Sequence, residues 1–337
     1  MAEYIGQLTT GQLVEISSDF DYMRATENFI GLKLFPLTKT ENLKLAMANL
    51  MEGADIPVMA FVHALDTEAR IGDRPTYETI KVELLLIKEK LNQGEALRKK
   101  MQDLGLSQNE REVLRAVYAD AANLISRVLT RMEVMACELL STGKITINEN
   151  NVNVEIDFKL PESHKTAFSG WSDPDHDIIG DLVAYKIAAK NKIKRALIGE
   201  ENFGYMLKNN KIGAIAASAV PAQPMTQEFV TNYLKTILGM EFIVTSGTYK
   251  QSANSEDVFT FFKKDTITFL TTDGIVGNTF VTDPPEVDYG IANRTEGYVA
   301  VTQYLDKDPA GLWTKASAIA LPCPKDIKTI YLATVTA

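Results

Sequence analysis

The chain is poor in the residues that most often carry chemistry. Its 337 residues include two cysteines, three histidines and two tryptophans. Two cysteines exclude the disulfide framework of small secreted domains. Cys137 falls beside Met135 and Leu139 on an apolar helical stripe, so it reads as a small buried hydrophobe rather than a reactive thiol. A serine or cysteine triad would have to recruit His63, His164 or His176, and nothing in the sequence places a nucleophile beside any of them. There is no glycine-rich dinucleotide fingerprint. No run of eighteen apolar residues exists, so no transmembrane helix is expected. The opening MAEYIGQLTT lacks the basic region and apolar run of a secretory signal, which points to synthesis in the cytosol.

Positive charge is also in deficit. There are 35 Lys and Arg against 44 Asp and Glu, a net charge of −9. A protein that grips nucleic acid displaces counterions with a positive patch. Here Lys99-Lys100, Lys192 to Arg195 and Lys263-Lys264 are short clusters diluted by carboxylates, which argues against sequence-specific DNA binding.

What is present is one long amphipathic helix that runs into a hairpin. Leu114, Val117, Ala121, Leu124, Val128, Met132, Met135 and Leu139 recur in steps of three and four. Ser107 and Glu110 suit a capping box, and Gly143 a left-handed stop. From Ser107 to Ser141 such a helix extends roughly 50 Å. Ile145, Ile147, Val152, Val154 and Ile156 then alternate with polar residues across Asn148 to Asn151, the pattern of a β-hairpin.

Residues 1 to about 55 lack sustained periodicity and read as an arm. Val58 to Val62 and Thr79 to Leu84 predict two strands around a charged, turn-like stretch from Asp66 to Tyr77. This makes a protruding hairpin that needs a partner surface. Residues 91 to 106 are polar and helix-prone. A helix is predicted after Asp177, with Ile178, Leu182 and Tyr185 on its apolar stripe. A strand follows at Arg195 to Ile198, a short helix at Glu200 to Leu207, a loop at Ala214 to Pro224 and a helix at Met225 to Leu238 capped by Thr226. Further strands are predicted at Glu241 to Thr245, Thr266 to Leu270, Gly297 to Tyr304, Ala316 to Leu321 and Thr329 to Val335. Helices and strands are segregated, which is an α+β class.

Two constellations invite a chemical reading. Asp173, Asp175, His176 and Asp177 are spaced to hold a hard cation, which would make the chain a metal-dependent hydrolase. The competing reading is that one of these carboxylates caps the following helix, with Pro174 turning the chain into it. No second carboxylate cluster completes a metal site. Ser141-Thr142-Gly143-Lys144 looks like a phosphate loop only superficially, since it ends a helix and Glu138 and Ile145 occupy the required positions.

Several segments, in order, resemble the lambda-type major capsid proteins of tailed phages, a family with the Hong Kong 97 capsid fold. They are Leu34-Phe35-Pro36-Leu37-Thr38, the hairpin with Pro75 and Tyr77, Leu139 to Ile145, Val154 to Phe158, Trp171 with Asp173-Pro174 and Asp177-Ile178, Thr245 to Lys250, and Lys315 to Pro322. Lys159 departs from the pattern, where the family often has a small residue. The resemblance implies an N-terminal arm (1–55), an extended loop (56–90), a spine helix with a peripheral domain (91–195), an axial domain (196–309) and C-terminal strands returning to the peripheral domain (310–337). It implies a structural protein, not an enzyme, that assembles with itself as hexamers and pentamers into an icosahedral shell. It needs no cofactor and no metal. A separate scaffolding protein, maturation protease and portal are implied partners, with a decoration protein as a further one. DNA would be packaged without sequence-specific binding, and no membrane is involved. The location implied is the virion, after assembly in the host cytoplasm. Candidate assembly residues are Arg70, Asp73, Arg74 and Glu78, pairing across subunits, and Ile80, Val82 and Leu84, burying the apolar strand face against a neighbour. An encapsulin-like nanocompartment shell is the alternative of the same fold.

Overall fold

The computed structural model describes residues 20–50, 77–94, 110–219, 226–292, 297–307 and 310–336. The first half contains α1 (Tyr22–Ala25), α2 (Ile30–Leu34), β1 (Leu37–Lys39), β2 (Lys44–Leu50), β3 (Tyr77–Glu83), β4 (Leu85–Gly94), α3 (Glu110–Thr142), β5 (Lys144–Glu149), β6 (Val152–Asp157) and β7 (Lys165–Ser169). Next come α4 (Ile178–Ala188), β8 (Arg195–Gly199), α5 (Glu200–Lys208), α6 (Asn210–Ala219), α7 (Gln227–Leu238), β9 (Glu241–Thr245), β10 (Thr248–Tyr249) and β11 (Phe259–Thr260). The chain closes with β12 (Thr266–Leu270), β13 (Gly277–Thr282), α8 (Pro285–Asp288), β14 (Ala300–Lys307), β15 (Ala310–Pro324) and β16 (Ile330–Thr336).

The 33 residues of α3 span roughly 50 Å. Leu124, Ile125, Val128, Leu129, Met132, Leu139 and Leu140 are fully buried, so the helical period forms the centre of one core. The helix stops at Gly143, whose φ is +75° and whose N–H donates to the Leu139 carbonyl at 2.8 Å. A Cβ there would lie 2.9 Å from the Leu160 Cβ, so both the backbone angle and the space call for glycine. The capping-box residue Ser107 lies outside the described residues. β5 and β6 form the predicted hairpin, pairing Lys144 with Asp157 through Glu149 with Val152, so its loop is Asn150-Asn151 rather than the whole of Asn148 to Asn151. Asn150 and Asn151 turn at φ of 50° and 62°, the two left-handed residues of a tight hairpin loop.

Two five-stranded sheets organise the rest. In the first, β15 is central. β4 pairs antiparallel along one edge from Gly94–Gly311 to Leu85–Ala320, while β14 and then β13 follow along the other. β1 adds parallel to β13. The buried small residues Ala316, Ala318 and Ala320 of β15 let α3 approach closely. The second sheet has the order β7-β16-β12-β8-β9. Its two faces meet different cores. Ile198, Ile267, Phe269, Tyr331 and Ala333 pack with α4, α5 and α7. Leu197, Leu270, Ile330 and Leu332 join the core of α3, where Thr268 donates its hydroxyl to the Leu140 carbonyl at 2.7 Å.

Four local expectations change. Leu91 to Gly94 continue β4 rather than starting a helix, because β15, more than 200 residues away, supplies the pairing. β3 pairs with β2, from Lys44–Glu83 to Leu50–Tyr77. Val58 to Val62, the expected partner, lies outside the described residues. The expected loop at Ala214 is helical to Ala219, consistent with alanine's helix propensity, and Pro221 and Pro224 come only afterwards. β13 had no strong alternating signature and was not foreseen.

Candidate assembly surfaces

The expected assembly element was the hairpin of Val58 to Val62 with Thr79 to Leu84, of which the structure describes the second strand, in β3, paired instead with β2. Arg70, Asp73 and Arg74 lie outside the described residues. Glu78 lies on β3 opposite Asn49. Ile80 is half-buried, whereas Val82 and Leu84 are 5% and 4% exposed and belong to the core around α3. Their apolar face is therefore used within the subunit and is not free for a neighbour, because the strand leads directly into β4 and the sheet beneath α3.

The N-terminal segment is fixed to α3 by a carboxylate that sequence reading missed. Glu133 is fully buried. Its two oxygens accept from the backbone N–H groups of Gly31 at 2.7 Å and Leu32 at 2.8 Å, in the first turn of α2. Phe29, the residue before that helix, offers no side-chain cap, so Glu133 supplies it from a hundred residues away. Burial pushes the Glu133 carboxyl above its ordinary value, against the downward pull of those N–H groups and the Cys137 thiol. A Cβ on Gly31 would meet the Ala136 Cβ at 2.7 Å, so glycine is needed for the approach. The available signal was a lone glutamate inside an apolar stripe, which also reads as a residue at the stripe's edge. Both cysteines are buried; burial raises the Cys137 thiol well above its ordinary value and pushes Cys323 up to about 12.

The hairpin β5–β6 projects Val152 and Val154, 45% and 36% exposed. Lys144 holds it together at 2.9 Å from Glu155 and 3.3 Å from Asp157. Hydrogen bonds to these two carboxylates raise Lys144. Burial pushes Asp157 up, but the Lys159 N–H and Lys144 outweigh it and hold the carboxyl below its usual range. Lys159 itself sits at φ +59°, a conformation that explains why a small residue suits this position. On the first sheet, the Lys90 ammonium lies 4.1 Å from the Trp313 ring centre, and Tyr304 stacks beside that ring.

The acidic turn is built as a cap. Asp177 accepts from the Gly180 N–H at 3.1 Å and starts α4. Asp173 accepts from the Asp175 N–H, and Asp175 accepts from the Asn210 side chain. His176 Nε2 and the Trp171 indole N–H both reach Asp181. Among the described residues, no group of three or more His, Cys, Asp or Glu side chains is arranged to hold a metal ion. No described helix is long and apolar enough to cross a membrane. A cleft of about 630 Å³ lies between the N-terminal segment and the β9–β10 turn, lined by Phe29, Lys33, Ser246 and Phe261 among others.

This architecture has counterparts. The capsid of Myoviridae phage XM1 superposes with a TM-score of 0.51 at 12% identity, covering 92% of each chain. A prophage protein of E. coli CFT073, assigned as its capsid protein, gives a TM-score of 0.64 at 18% identity over 98% of this chain and 99% of that one. A phage-related protein of Bordetella bronchiseptica RB50 gives 0.54 at 15%, over 95% and 96%. These likenesses establish the Hong Kong 97-type capsid fold. No curated protein matches the chain. The family model for phage major capsid protein E matches residues 21–335, and the chain therefore belongs to the phage major capsid protein E family.

Proposed function

We propose that this major capsid protein builds its shell as hexamers and pentamers around the double-stranded DNA of a tailed phage or prophage. The observation that carries the reading is the family match over residues 21–335, on a subunit whose longest elements position surfaces rather than chemistry. The role is structural, without enzymatic activity. α3 acts as the spine, and with the sheet of β4, β13, β14 and β15 it forms the peripheral domain. β2 and β3 are the legs of the extended loop, so that loop starts nearer Lys44 than Ile56. The sheet β7-β16-β12-β8-β9 with α4 to α7 forms the axial domain, and β16 is the part of the C-terminus that joins it. Arg70, Asp73, Arg74 and Glu78 pair across subunits, with Ile80 as the apolar contribution. Such surface pairs are individually weak, so they set register, while closed symmetry multiplies each contact. The net negative charge limits adhesion to the enclosed genome. Scaffolding protein, maturation protease, portal and decoration protein are separate partners, and assembly takes place in the host cytoplasm.

Electron microscopy of the expressed chain, alone and with its neighbouring phage genes, tests the reading. Shells containing DNA support it. Shells that instead enclose an enzyme cargo support the nanocompartment. Deleting Asp66 to Tyr77 should leave folded subunits that form no shells, and normal shells from that deletion would remove the loop from assembly.

A further inference from the structure

The cleft beside the N-terminal segment follows the edge of a sheet. Ile243 to Thr248 line it in unbroken succession. Ile243 packs against the α3 core and Val244 against the layer of α4 to α7, so the two point to opposite faces of β9. Side chains from opposite faces line one cavity only where it runs along the strand's edge. β9 ends the order β7-β16-β12-β8-β9, and among the described residues it pairs only with β8. The facing wall is Glu27 to Ile30, where Phe29 meets Phe261 edge-on with ring centres 5.5 Å apart. At about 630 Å³ the cleft has the size of a built binding site.

A strand edge with apolar walls takes an extended segment by strand addition. Residues 1–19 lie outside the described structure, and the chain enters it beside this cleft. A Cβ on Gly297 would lie 3.1 Å from Leu129 and 3.3 Å from Tyr22, so those two side chains adjoin. Leu129 is one turn of α3 from Glu133, which lines the cleft. Within residues 1–19, Gln12-Leu13-Val14-Glu15-Ile16-Ser17 has no proline, and it sets β-branched Val14 and Ile16 on one face of an extended chain. The four residues from Ile16 to Phe20 span up to roughly 14 Å. Other segments outside the described residues are less well placed. Residues 95–109 join α3 at Glu110, roughly 35 Å along the helix from Glu133. The ends of 51–76, Leu50 and Tyr77, pair with each other at the end of the β2–β3 ladder farther from the α3 core. Residues 220–225 include Pro221 and Pro224, which cannot donate to a ladder.

We infer that Gln12 to Ser17 add to β9 as a further strand of their own subunit's second sheet, lying in the cleft along its edge. The backbone groups of β9 that point away from β8 then find partners. The added strand also covers an edge that would otherwise invite pairing with another copy.

Hydrogen exchange on free, full-length subunits tests this. In wild type every amide from Phe242 to Thr245 should be protected, because one alternate set bonds to β8 and the other to the added strand. Val14→Pro with Glu15→Pro removes a donor whichever way the segment is turned. It should speed exchange of the second set at least tenfold and leave the first set, Gly31 and Leu32 unchanged. A chain lacking residues 1–17 should behave in the same way. Mixed with wild type, that shortened chain, recognised by its mass, should stay unprotected. Fast alternate amides in wild type, or full protection in either variant, overturn the inference. Protection lent by wild type overturns it as well, since the strand would then come from a neighbouring copy.

Discussion

The two cores of this subunit are held by different kinds of contact. The core around α3 is closed by residues far apart in the chain. Glu133 caps α2 from about a hundred residues away, the Thr279 hydroxyl donates to the Phe35 carbonyl 244 residues away, and β4 pairs with β15. In the layer of α4 to α7 the helix ends are set by near neighbours, although Tyr185 also reaches the Leu332 carbonyl and Asn202 the Lys264 carbonyl. Asp177 caps at Gly180, Asn209 at Ile212, Thr226 at Phe229, and Trp171 binds Asp181. Long-range closure ties the ends of the chain into one body, whereas local closure lets each helix define its own limits. The two should therefore fail differently when disturbed.

The largest effect is expected where they share a wall. Phe269 on β12 is 1% exposed and meets Tyr185 edge-on, with ring centres 5.2 Å apart. Phe269→Ala should cost about 3–5 kcal/mol, from lost burial and the cavity left behind. Since the opposite face of β12 belongs to the α3 core, denaturant unfolding followed by Trp171 and by Trp313 should shift together. Separate shifts would show that the cores unfold independently.

Glu133→Ala comes next. It strands two buried backbone N–H groups at α2, a loss of roughly 2–4 kcal/mol. Hydrogen exchange at Gly31 and Leu32 should rise far more than in the α4–α7 layer; a uniform rise would mean that the cap does not anchor the segment specifically. The pH dependence has a defined sign. The folded carboxyl lies above its ordinary value of 4.5, so between that value and the raised one the folded state binds more protons than the unfolded state. This group's contribution to stability therefore falls as pH rises through that window. Thermal melts of wild type and Glu133→Gln across it should show the wild type losing ground to the glutamine variant as pH rises.

The same contrast explains what could be read in advance. The helix α3, the β5–β6 hairpin, the acidic turn into α4 and the Thr226 cap were legible because their causes lie within a few residues: a period, a pair of asparagines, a capping side chain. In the second sheet β8 and β12 were legible as short apolar runs because both faces are buried, whereas the mostly exposed β7 was not foreseen. The end of β4 from Leu91 to Gly94 was not either, because Asn92 and Gln93 favour other structure locally, and only β15 makes them a strand. Glu133 was hidden for the same reason. Its role depends on Gly31, and no local pattern connects the two. At the candidate interface, the alternation of Ile80, Val82 and Leu84 revealed a strand but not which side of it faces the subunit's own core.

The smallest predicted effect isolates the local half of the comparison. Thr226 has extended backbone angles, and its hydroxyl accepts from the Phe229 N–H at 3.2 Å. The helix it starts buries Val230, Leu234 and Leu238 at four-residue steps and stops at Gly239, φ +58°. Both boundaries and the apolar stripe are thus specified within fourteen residues, so one missing cap should shorten the helix without disturbing its packing. Thr226→Ala should cost about 1 kcal/mol and Thr226→Gly only a few tenths, since glycine leaves the N-terminal amides open to water. Exchange should quicken at Phe229 and its neighbours and stay unchanged at Gly31 and Leu32. A response at Gly31 would mean that the local layer is coupled to the N-terminal anchor through β12, and the two kinds of closure would then act as one.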